Sequence, residues 1–165
     1  MMIFGARKAR RWLLCSSFGL LMSIPALASG QVRSDGYVYA GPGGVSGVWA
    51  PGGSAIVAGG GGEWLVARGL GVGGEAGIFK TLGVVSLNGG WHFGQRSHDT
   101  GLQPFVTSGY THMVGESGFP AWNAGGGVIV WGHHRGLRIE FRDHVRPDER
   151  GALHYWALRA GLTFG

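Results

Sequence analysis

Apolar and polar residues alternate along the last stretch of the chain. Between His154 and Phe164, one face carries Trp156, Leu158, Ala160, Leu162 and Phe164, and the other carries Tyr155, Ala157, Arg159, Gly161 and Thr163. Successive side chains of a strand point to opposite faces, so a period of two predicts a β-strand. Leu137, Ile139 and Phe141 alternate in the same way with Arg138, Glu140 and Arg142, and Glu75 is set among Val72, Gly74, Ala76 and Ile78. Segments of this kind, about 10 residues long and separated by turn residues, predict eight strands. They lie near 35–41, 54–65, 70–79, 84–93, 103–112, 122–131, 137–145 and 154–164. The stretches 42–53, 95–101, 114–121, 132–136 and 147–151 hold the Gly, Pro and Asp clusters of loops and turns.

The beginning of the chain gives these strands an address. Arg7, Lys8, Arg10 and Arg11 precede an apolar run from Trp12 to Leu27, which closes on Ala26-Leu27-Ala28. A basic region, a short apolar region and small residues at a cleavage point predict a secretory signal peptide over residues 1–28. The run is broken by Ser16, Ser17, Ser23 and Pro25, and falls short of the roughly 20 apolar residues of a spanning helix. Residues 29–165 are then one domain. An exported chain that crosses a membrane without a spanning helix must do so as a closed barrel, because lipid satisfies no open sheet edge. The expected fold is all-β: an eight-stranded antiparallel up-and-down transmembrane barrel, with apolar residues facing lipid and polar ones the lumen. An even strand number puts both termini on one side, the periplasmic one in bacterial barrels.

Composition changes the picture in three ways. The chain has 14 basic and 9 acidic residues, but four of the basic ones lie in the leader, leaving a mature charge of +1. The high isoelectric point therefore gives no argument for nucleic acid as a partner. The single cysteine, Cys15, also lies in the leader, so disulfide and thiol chemistry are not expected. Glycine supplies 35 of 165 residues, yet it is interleaved with Trp, Phe, Val and Leu; a disordered tract would lack those partners. Glycine in strands marks bends and close backbone approach.

Candidate chemistry is sparse. Glu75, Arg138, Glu140, Arg142 and Arg159 all fall on the non-lipid parity of their strands, which predicts an ion-paired charge cluster in the lumen, since enclosed charges must be paired. Trp64, Trp91, Phe93, Trp131, Trp156 and Phe164 lie near predicted strand ends, as an interfacial aromatic girdle would. His133 and His134 are adjacent with no third ligand nearby, so no metal site is expected. Ser86 and His92 share a parity but are six residues apart in one strand, about 20 Å. No phosphate loop is present, because the glycine runs carry no Lys-Ser/Thr and open no helix. Catalytic residues, cofactors and metals are accordingly all expected to be none.

The segments Gly71-Val72-Gly73-Gly74-Glu75-Ala76-Gly77, Pro104-Phe105-Val106, Gly125-Gly126-Gly127-Val128, Leu137-Arg138-Ile139-Glu140-Phe141-Arg142-Asp143 and Arg159-Ala160-Gly161-Leu162-Thr163-Phe164 resemble the small eight-stranded outer-membrane barrels of the OmpA-type superfamily. The resemblance implies a Gram-negative outer-membrane protein, monomeric and non-enzymatic, with a structural or surface-interaction role. Its implied partners are outer-membrane lipid and the assembly machinery, which would bind the C-terminal strand. Two other functions stand beside it. A lipid A-modifying enzyme would need a Ser, a His and an acid together at the lipid-facing outer rim, and no such set is evident in the sequence. A soluble lipocalin-like binder would turn Trp156, Leu158, Leu162 and Phe164 inward.

Overall fold

A computed structural model of the chain describes residues 33–47, 52–67, 69–94, 100–116, 118–149 and 151–165. The leader expected over 1–28 lies outside the described residues. The strands are β1 (Arg33–Gly47), β2 (Gly53–Ala67), β3 (Leu70–Phe79), β4 (Leu82–His92), β5 (Thr100–Val114), β6 (Phe119–Gly132), β7 (Arg135–Asp148) and β8 (Gly151–Phe164). Each pairs antiparallel with the next, and β8 pairs with β1 to close the barrel. Closure leaves no unpaired edge, the condition for crossing lipid with strands.

The period-two pattern sets the two faces. Leu137, Ile139, Phe141, Leu158 and Leu162 are exposed on the outer wall, Leu158 by 49%. Arg138, Glu140, Arg142, Tyr155, Ala157 and Arg159 are buried within. This inside-out parity is that of a membrane barrel, not of a soluble lipocalin-like one. A hydroxyl on the outer parity, Ser108, donates to the Asn123 carbonyl oxygen at 3.2 Å, so it presents no free donor to lipid.

Several strands run longer than the pattern predicts. Residues 42–47, expected in a loop, continue β1, and Pro42 pairs with Ile56 of β2. The glycines there serve close approach instead of turning. A Cβ on Gly44 would meet the Trp156 ring at 2.6 Å, and one on Gly43 the Trp156 carbonyl oxygen at 2.7 Å. The 114–121 loop shrinks to 115–118, β7 extends to Asp148, and the turn between β6 and β7 is only His133 and His134. His133 adopts φ 44° there.

The lumen is filled in layers. Toward the end away from the chain termini, Ala55, Val57, Phe79, Val84, Met113, Phe119, Tyr155 and Ala157 form an apolar cluster. Phe105, Ile129 and Trp131 form a smaller one toward the end bearing the termini. Between them lies a layer of charge.

Candidate functional site

Five charged side chains meet at the middle of the barrel. β7 delivers Arg138, Glu140 and Arg142 to one face because they are two residues apart. β8 places Arg159 directly opposite Glu140 in the ladder. β3 brings Glu75 from the other wall. Arg159 Nη1 donates to Glu75 Oε1 at 2.9 Å, and Arg159 Nη2 lies 2.9 Å from Glu140 Oε2. Arg142 Nε donates to Glu140 Oε1 at 2.7 Å, and its Nη2 lies 3.8 Å from Glu75. Arg138 Nε donates to Glu140 Oε2 at 3.0 Å. Every side chain in this set is at most 6% exposed.

Neutral groups complete the layer. Tyr37 and Tyr39 hydroxyls donate to Glu75 at 3.1 and 3.4 Å. The Arg159 guanidinium lies 4.0 Å from the Tyr39 ring centre, and that of Arg138 lies 4.4 Å from Tyr37 and 4.0 Å from Phe105, favourable cation–π distances. Arg142 Nη1 donates to Asn123 Oδ1 at 2.8 Å. Asn123 then donates to Thr111 at 2.9 Å, and Thr111 lies 3.0 Å from His144 Nδ1. These partners share the inward parity of the charged residues, and that was their signal in the sequence.

Glycine makes the room. On β2, a Cβ on Gly59 would lie 2.6 Å from the Ala76 carbonyl oxygen and 2.7 Å from the Tyr39 hydroxyl; one on Gly61 would lie 2.7 Å from the Tyr37 hydroxyl. The tyrosines lie against bare backbone.

The layer is chemically quiet. Guanidinium groups stay protonated, and both carboxylates are saturated by them, so neither is a free base. Glu63, at the end bearing the termini, binds His92 at 3.0 Å instead of balancing the excess arginine of the layer. Ser86, which shares a face with His92, bonds Thr111 at 2.8 Å. Among the described residues no cluster of three metal-ligating side chains occurs; His133 and His134 sit exposed on their turn.

One expectation for the outer wall is overturned. Trp131 is no girdle residue: it is 2% exposed, inside the lumen, and its indole donates to Gln103 Oε1 at 2.8 Å. Its inward parity, shared with Ile129, was missed. Trp64, Trp91, Phe93, Trp156 and Phe164 are exposed outside, joined by Trp122 and Tyr110. His154 Nδ1 and Asp143 Oδ2 are 2.7 Å apart on the outer wall, and Ser46 is paired directly with His154 across the β1–β8 ladder.

No known family model matches the sequence, and no curated protein resembles it closely enough to count as a match. Solved structures do match. The N-terminal β-barrel domain of Pseudomonas aeruginosa OprF is 17% identical, covers 81% of this chain and 98% of its own, and superposes with a TM-score of 0.56. Neisserial surface protein A is 11% identical, covers 82% and 99%, and reaches 0.60. The fold is that of the small outer-membrane barrels. A de novo designed transmembrane β-barrel also matches, at 20% identity, 79% and 93% coverage and 0.52. That fold therefore accommodates sequences of low identity.

Proposed function

We propose that this chain is a sealed barrel of the outer membrane, with its termini at the periplasmic face and a structural or surface-interacting role. The observation that carries the reading is the saturated charge layer capped by the apolar cluster. An eight-stranded barrel is only wide enough for side chains to fill. Beneath the layer the cavity lined by Tyr37, Glu63, Thr107 and Arg138 holds only about 10 Å³, room for about one water. The lumen is thus scaffold, neither conduit nor active site. The connections 48–52, 80–81, 115–118 and 149–150 are short, so any partner at the cell surface meets the rim and wall of the barrel. Outer-membrane lipid covers the apolar wall, and the assembly machinery engages β8. The protein needs no cofactor and works as a monomer.

Two measurements test this reading. The protein should fractionate with outer membranes and show heat-modifiable gel mobility. The purified barrel in a planar bilayer should give no steady conductance. Recovery only from the soluble periplasm, or a large stable open channel, contradicts it.

A further inference from the structure

Three arginines and two carboxylates meet in the enclosed layer, which leaves one cation over. We propose that the small cavity on the termini side of this layer is a binding site for a single halide ion, chloride under ordinary conditions, and that the ion closes the charge balance of the lumen. The site lies inside the sealed barrel and rests on that reading.

Arg138 is the cation in excess. Its Nε bonds Glu140 at 3.0 Å, but Glu140 also serves Arg142 and Arg159. Glu75 is held by Arg159 and Arg142. The Arg138 guanidinium is stacked against Tyr37 and Phe105 and lines the cavity. Arg138 is 5% exposed, and a charge this far from water needs a counter-charge.

A chain of amides points to the same place. Arg142 Nη1 donates to Asn123 Oδ1 at 2.8 Å, and Asn123 Nδ2 donates to Asn88 Oδ1 at 2.9 Å. A guanidinium has donors only, so it fixes the orientation of both amides in turn. Asn88 is left presenting its Nδ2 group, which is covered and has no partner among the described residues. Asn88, Thr107, Arg138 and Arg142 line one cavity. A covered donor of this kind calls for a water or an ion.

The surroundings favour an anion over water. A water molecule brings two hydrogens that need acceptors of their own. The carboxylate nearest the cavity, that of Glu63, is turned aside. Glu63 pairs with Gly73, in the row of Asn88. Its carboxylate instead lies over Gly71 and Gly90, nearer the end bearing the termini, where Oε2 meets His92 at 3.0 Å. Glu63 therefore gives the cavity its stem. The Tyr37 hydroxyl, also in the lining, donates to Glu75. What converges on the cavity is positive charge, an amide N–H and the Thr107 hydroxyl. At about 10 Å³ the cavity takes one water-sized body, so phosphate and sulfate are excluded by size. Chloride is slightly larger than water, and the long Arg138 side chain yields by that amount.

The test uses the folded full barrel in detergent, unfolded with urea and followed by circular dichroism. A ligand that binds only the folded state raises its stability as the ligand concentration rises. The wild-type midpoint should climb with sodium chloride and stay lower in sodium gluconate of equal ionic strength. Asn88→Leu, Thr107→Val and Arg138→Gln should each reduce or remove that difference. Crystals of wild type grown in sodium bromide should show one anomalous peak within hydrogen-bonding distance of Asn88 Nδ2 and the Arg138 guanidinium. A midpoint indifferent to chloride, a chloride effect undiminished in Arg138→Gln, or no bromide peak in the lumen would overturn the proposal and leave a trapped water only. Those outcomes are separate from the sealed-barrel reading, which fails on steady conductance in a planar bilayer.

Discussion

The charged layer in the lumen and the ion pair on the rim are built from the same kinds of group and differ in what surrounds them. In the lumen, Glu140 accepts from three arginines and Glu75 from Arg159 and two tyrosines. On the rim, Asp143 has one partner, and its other oxygen, Oδ1, has none. Enclosure demands saturation, because an unmatched charge away from water is costly. Saturation in turn removes reactivity. The rim pair keeps a single link, and its second carboxylate oxygen is covered without a partner. Charge shared among many partners becomes architecture, and charge held by one partner stays replaceable.

Mutations can break or sharpen this contrast. The largest effect is expected at Glu140. Its replacement by Ala leaves Arg138 without a carboxylate and Arg142 and Arg159 sharing Glu75 alone, and the unfolding free energy in detergent should fall by about 3–5 kcal/mol. Adding Arg159→Ala should recover part of that loss, and strictly additive effects would show that the two do not act as a pair. A smaller loss is expected at Gly59→Ala, where the new methyl meets the Ala76 carbonyl oxygen and the Tyr39 hydroxyl. Overpacking of this kind costs about 1–3 kcal/mol, seen as a lower urea midpoint; an unchanged midpoint would mean that the layer yields to added volume. The smallest effect is expected on the rim. Asp143→Asn should shift stability by no more than about 1 kcal/mol, measured in the same titration. A loss as large as that at Glu140 would erase the distinction between the two sites.

The sequence carries much of this molecule, unevenly. The strand pattern predicts β3 at its observed bounds, and the parity of Leu137 to Arg142 separates the lipid-facing from the enclosed residues. Parity fails where glycine and proline imitate a turn. Gly41-Pro42-Gly43-Gly44 looks like a loop, yet these residues are in a strand, and Gly41, Gly43 and Gly44 stand there because Trp156 and the neighbouring backbone leave no space for a Cβ. That misreading also hid Ser46. His154 and Asp143 shared the outward parity of Trp156 and Phe141, so a trace of the rim pair was legible. What alternation cannot supply is inter-strand register, and only register sets Ser46 beside His154. The link from Glu63 to His92 was hidden for the same reason, since 29 residues separate them.

The long-range pairing of Arg159 also bears on how the barrel is assembled. Arg159 is the last charged residue of the chain, and it binds Glu75, 84 residues earlier. Until β8 is in place, Glu75 and Glu140 lack this shared cation, and the half-built wall carries an incomplete charge balance. If β8 slid two residues along β7, Ala157 or Gly161 would face Glu140 and the guanidinium would move by about 7 Å. A slide of one residue would turn Arg159 toward lipid. The final strand therefore has one seating in which the charges close, so the arginine discriminates against a shifted seam.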